Sequence, residues 1–219
     1  MIKFVPQLIN LFATLILMLS FAMISQRRIV SLINLFAMQG AALVAASILL
    51  AYATDQPHLY VSAGLTLLLK VILIPWMLHR MIRRLNVRWD VETLINIPTT
   101  MLVGIVLVIF SFSLALPISR LSSSLAGGSL GIALACVLLA FMMMITRSKA
   151  VPQVIGFLSM ENGLVFAATT VTSGMPMIVE IGIALDVLVG VLILGVFLFQ
   201  IREKFDSLDI RNLESLKED

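Results

Sequence analysis

The sequence predicts an all-α membrane protein with seven transmembrane helices. Three observations carry this. First, 60% of the 219 residues are hydrophobic and 12% are charged, whereas soluble domains run near 45–50% and about 25%. The mean hydropathy is +1.09. Second, the apolar residues form continuous runs of helix length rather than the alternation of a membrane strand. Third, Lys and Arg collect in alternate connections between those runs.

Seven stretches are each long enough to cross about 30 Å of hydrocarbon as helices: 5–25, 29–53, 59–82, 95–116, 127–146, 154–173 and 177–200. The first is too long for the apolar region of a signal peptide. It ends in Gln26-Arg27-Arg28 with no small-residue cleavage pattern, so it reads as a retained span. Arg27 and Arg28 follow span one. Arg80, Arg83, Arg84 and Arg88 follow span three, Arg147 and Lys149 follow span five, and Arg202, Lys204, Arg211 and Lys217 follow span seven. The opposite side carries Lys3 and Arg120. The positive-inside rule then puts the N-terminus in the periplasm and the C-terminus in the cytoplasm of a bacterial inner membrane. The 117–128 segment, rich in Ser and Gly, reads as a flexible linker. The tail 201–219 is charged but keeps Phe205, Leu208 and Leu213, so it is either a solvated end or an element docking on a cytoplasmic partner.

Composition also excludes chemistry. The single Cys136 allows no internal disulfide and no thiolate cluster. His58 and His79 fall at segment ends, where they read as interfacial residues, and no glycine-rich phosphate loop or His/Glu metal spacing is present. The Met residues show no ligand spacing and read as packing residues. The expectation is a chain without its own cofactor or metal, embedded in lipid, with no nucleic-acid partner.

An internal repeat organises the spans. Leu32–Ala46 (LINLFAMQGAALVAA) lies over Val154–Ala168 (VIGFLSMENGLVFAA) without a gap, placing Gln39 on Glu161. With a three-residue shift, Pro57 lies over Pro176 and Lys70 over Val189. The chain then divides into a three-helix repeat (1–82), an extra helix with linkers (83–126), a second three-helix repeat (127–200) and the tail (201–219). The equivalent spans run the same way, so the repeat is parallel.

Charges inside the spans are the candidate site: Lys70, Glu161 and Asp186. At 1.5 Å per residue they lie about 16, 10 and 13 Å in from the nearer end of their spans. A lone charge there costs about 2.5–3.5 kcal/mol on insertion scales. Burial disfavours the charged form of each, which suits proton exchange near neutral pH. The competing reading is a neutralised structural pair. Gln39, Thr66 and Glu180 are accessory candidates: Gln39 by the repeat, Thr66 by sitting one turn before Lys70, and Glu180 near the outer end of span seven. Pro75 withholds a donor from the carbonyl of Val71, which favours a kink. Asn10, Asn34, Ser62, Ser159, Asn162 and Thr170 read as bonds between helices or the lining of a wet path.

Gly156-Phe157-Leu158-Ser159-Met160-Glu161-Asn162-Gly163, Val179-Glu180-Ile181-Gly182-Ile183-Ala184-Leu185-Asp186 and the tail Leu208-Asp209-Ile210-Arg211-Asn212-Leu213 resemble component E of hydrogenase-4. That family supplies a membrane subunit of the group 4 nickel–iron hydrogenases, related to formate hydrogenlyase. More distantly, spans five to seven resemble subunit K of NADH-quinone oxidoreductase (respiratory complex I), with Glu161 on its first glutamate and Asp186 where a second glutamate stands. The resemblance implies a non-catalytic subunit of an oxidoreductase complex. Its partners would carry the nickel–iron and iron–sulfur centres. Its neighbours would be antiporter-like subunits, and Glu161, Asp186 and Lys70 would move protons or Na⁺. A stand-alone cation or solute transporter and a purely structural membrane-arm subunit are the alternatives.

Overall fold

The computed structural model describes residues 5–85, 95–121, 129–171, and Gly182, Val189 and Gly190. Every element among them is helical, and six helices are long and apolar enough to cross a membrane. These are α1 (Val5–Ser25), α2 (Ile29–Thr54), a composite third span, α5 (Ile97–Leu121), α6 (Ser129–Thr146) and α7 (Ala150–Val171). The seventh predicted span lies outside the described residues, apart from Gly182, Val189 and Gly190.

The turns explain where helices stop. Asp55 ends α2 in the left-handed region, with φ of 55°, and its N–H returns to the Ala51 carbonyl. Pro57 then opens the next helix at a position where no N–H is needed. The third span differs from a simple kinked helix. It runs as α3 (Pro57–Thr66), a π-helical segment (Leu67–Leu73) and α4 (Ile74–Leu85). The N–H of Ile74 bonds the Leu69 carbonyl, the wider five-residue step. Pro75 follows at once, with no N–H for the carbonyl of Lys70 or Val71, so it cannot restore the tighter ladder there. The expected linker also begins later than its composition implies, because Pro117 sits inside α5. Residues 122–128 lie outside the described residues.

Helices α1, α2, α6 and α7 form the centre. Ile16, Ala42, Leu43, Ala133, Cys136 and Phe166 pack as one buried cluster. A second cluster joins Phe36 of α2, Ile74 and Leu78 of α4, Leu158 of α7, and Val189. Helix α5 packs outside, on α6 and α1. Close approach rests on small residues, because apolar side chains in lipid gain little by leaving it. At Gly163 of α7, a Cβ would stand 3.1 Å from Val137 Cγ2 and 3.3 Å from the Ala133 carbonyl oxygen.

One of the cations in the connection after span five is buried. Arg147, just after α6, is 1% exposed. Its Nη2 donates to the carbonyls of Ile24 at 2.6 Å and Met23 at 3.4 Å, the C-terminal end of α1. A cation suits that end, where carbonyls lack helical partners. Burial lowers the guanidinium's affinity for its proton below the ordinary arginine value.

Gly163→Val will overpack the α6–α7 contact and cost about 1–3 kcal/mol, seen as a lower thermal midpoint of the full chain in mild detergent. Gly64→Val, where a Cβ meets nothing within 4 Å, will shift it far less.

Candidate functional site

The π-helical segment presents mostly exposed apolar side chains, among them Leu67, Leu68, Ile72 and Leu73. Lys70 is the residue it buries. Lys70 lies against α2, where Gly40 makes the approach possible: a Cβ there would meet Lys70 Cβ at 3.5 Å and Val71 Cγ2 at 3.3 Å. From α7, Glu161 completes the contact. Lys70 Nζ stands 3.0 Å from Glu161 Oε1, and the two residues are 1% and 2% exposed. Two opposite charges from spans far apart in sequence therefore meet inside the bundle. Gly182 closes another side, since a Cβ there would stand 3.6 Å from Glu161 Oε1.

Beside the pair runs a neutral polar chain. Asn162 Nδ2 donates to Gln39 Oε1 at 3.1 Å, Gln39 Nε2 donates to Ser20 Oγ at 2.7 Å, and Ser20 Oγ donates to the Ile16 carbonyl at 2.9 Å. All three side chains are buried. The chain ties α7 to α2 and α2 to α1. It fixes the rotation of α7 at the residue after Glu161, so it helps hold the carboxylate toward Lys70. An unpaired polar group in hydrocarbon costs several kcal/mol, and this makes the arrangement specific.

The structure thus brings together four residues singled out from the sequence, Lys70, Glu161, Gln39 and Asn162, and adds Ser20. Asn162 carried a signal, as an amide in an apolar run. Ser20 carried little, because a serine in a membrane helix ordinarily bonds its own helix, as Ser111 does to the Leu107 carbonyl. Thr66 is half-buried at the junction where α-helix gives way to π-helix. Glu180 and Asp186 lie outside the described residues. Among the described residues, no three of His, Cys, Asp and Glu cluster as metal ligands. Chemically, the pair offers a donor and an acceptor at hydrogen-bond distance in a medium of low polarity.

Lys70→Met leaves a buried carboxylate without its cation and will destabilise the full chain by about 3–5 kcal/mol, read from detergent-solubilised thermal unfolding. Adding Glu161→Leu will recover most of the loss, because replacing both partners by apolar groups is often neutral.

The chain shares features with known proteins over most of its length. It is 24% identical to hydrogenase-4 component E of Escherichia coli over 210 residues, covering 96% of this chain and 97% of that one. The same figures hold for hydrogenase-4 component E of Shigella flexneri. No protein-family model matches the chain, and no solved structure does. A Mycobacterium tuberculosis protein named "Uncharacterized protein Rv0085" is 31% identical over 195 residues, 88% of each chain. This multi-pass helical protein therefore belongs to the family of the M. tuberculosis protein Rv0085.

Proposed function

We propose that this chain is a non-catalytic membrane subunit of a group 4 nickel–iron hydrogenase or formate hydrogenlyase-like complex, and that the Lys70–Glu161 pair is a station on its proton path. The membership in such a complex is supported by the full-length similarity to hydrogenase-4 component E. The role in ion movement is supported by one observation, the 3.0 Å contact between a buried ammonium and a buried carboxylate.

The chemistry follows from that contact. One proton moving from Lys70 Nζ to Glu161 Oε1 turns an ion pair into a neutral pair without net charge movement out of the site. The transfer leaves the site's net charge unchanged, so it does not add a charge to the low-polarity interior. A proton delivered to one member therefore releases a proton from the other. Asp186 is the next acid along the path in this reading, with Gln39 and Asn162 as positioning residues and Thr66 and Glu180 as accessory groups. The two halves share an origin in this reading, which the alignment of Leu32–Ala46 with Val154–Ala168 supports. Gln39 also bonds the neighbour of Glu161, the residue aligned with it. The chain supplies no redox centre in this reading. Electron transfer belongs to partner subunits carrying the nickel–iron and iron–sulfur groups, and antiporter-like membrane subunits flank it. The C-terminus faces the cytoplasm, by the distribution of Lys and Arg.

Glu161→Gln keeps the shape and removes the titratable proton. In the assembled complex it will lower the number of protons moved per electron transferred at least severalfold while the subunits still co-purify. An unchanged ratio in Glu161→Gln, with assembly intact, rules the proton path out.

A further inference from the structure

The end of the bundle that carries the α1–α2 and α6–α7 turns gathers several cations, and no carboxylate among the described residues lies there. Because Arg147 reaches the last carbonyls of α1, the two turns are neighbours. They bring Arg27, Arg28, Arg147 and Lys149 to one corner, with Arg27 and Arg28 exposed and Lys149 half-buried. Among the described residues the carboxylates are Asp55 and Glu161. Glu161 is engaged with Lys70, and Asp55 lies at the opposite end of α2. Arg147 itself is underused: Nη2 is taken up by α1, but Nε and Nη1 are buried with no hydrogen-bond partner. A buried guanidinium with two unmet donors, crowded by other cations, calls for an anion with several acceptor oxygens.

A second, independent feature adjoins it. Between α5 and α6 lies a groove of about 350 Å³, almost wholly apolar in lining, formed by Thr100, Val103, Leu138, Met142, Ile145 and Thr146. It reaches Thr146, the residue before Arg147. Met142, in its wall, packs in one cluster with Ile24, whose carbonyl accepts from Arg147. Unmet guanidinium donors and an apolar groove thus adjoin at the end of α6.

We propose that this corner binds an anionic phospholipid. Its phosphate lies among Arg27, Arg28 and Arg147, and one acyl chain occupies the α5–α6 groove. Arg27 and Arg28 meet the headgroup from outside. Nε and Nη1 of Arg147, closed off in the bundle, open to the phosphate as the headgroup seats, while Nη2 stays on α1. Basic pockets between membrane helices select anionic over zwitterionic headgroups in this way. The lipid clamps the two turns, and with them the relative placement of α1 and α6.

The test uses the full chain in mild detergent, followed by native mass spectrometry and thermal unfolding with added phosphatidylglycerol, phosphatidylcholine or inorganic phosphate. Phosphatidylglycerol will bind and raise the thermal midpoint, and phosphatidylcholine will not. The exposed double variant Arg27→Gln/Arg28→Gln, which leaves the α1 latch intact, will weaken phosphatidylglycerol binding about thirtyfold. Arg147→Lys, which keeps the charge but loses the planar fork, will also weaken it. An equal response to both lipids overturns the proposal. So does inorganic phosphate reproducing the whole shift, which would make the ligand a free anion. A comparable loss in Arg80→Gln, a cation stacked on Trp76 of the third span, would reduce the effect to diffuse surface charge and overturn it too.

Discussion

A positive and a negative side chain inside a bilayer-spanning bundle must find each other, and the structure is arranged so that they do. Lys70 and Glu161 come from two segments that both pack on α2, and their 3.0 Å contact requires both side chains to turn inward at the same level. The glycines at 40 and 182 leave room for this, one beside the Lys70 backbone and one beside the Glu161 carboxylate. Side chains at either position would stand between the pair and its walls. The neutral chain from Asn162 through Gln39 to Ser20 holds the same arrangement from the other side. Its bonds are directional, where dispersion between apolar helices in lipid is not.

The π-helical segment has a role in the same constraint. Lys70 sits in the middle of it, surrounded by exposed apolar residues. Inserting a wider turn changes which direction the following residues face, and so re-aims a single side chain without moving the span. Pro75 stabilises the irregularity by lacking the N–H that a regular helix would use there. Short π-helical insertions recur at functional sites, and the one here coincides with the charge that the bundle most needs to place.

Arg147 plays a comparable part at the end of the bundle. Its guanidinium caps α1 from the α6–α7 turn, and so links two helices that are distant in sequence. Buried charges are tolerated only where their donors are met. Here Nη2 is met by α1 while Nε and Nη1 are not, so the residue is a structural latch with donors to spare.

The spans were legible from the sequence because hydropathy is a local property. The runs predicted for spans one to six each contain a helix of membrane length, with ends displaced by only a few residues. Lys70 and Glu161 stood out for the same reason: a charge in an apolar run is conspicuous wherever it points. Gln39 was found through self-similarity, and Pro75 marked the place where the third span is irregular. What tertiary structure decided was which of these groups meet. These helices are apolar on nearly every face, so periodicity does not say which side turns inward. Nothing local could reveal that Ser20 receives Gln39, that the irregularity at Pro75 is a wider turn centred on Lys70, or that Arg147 folds back under α1. Those outcomes depend on the rotation of each helix against its neighbours, which is set by small-residue contacts and buried hydrogen bonds between residues more than a hundred positions apart in some cases.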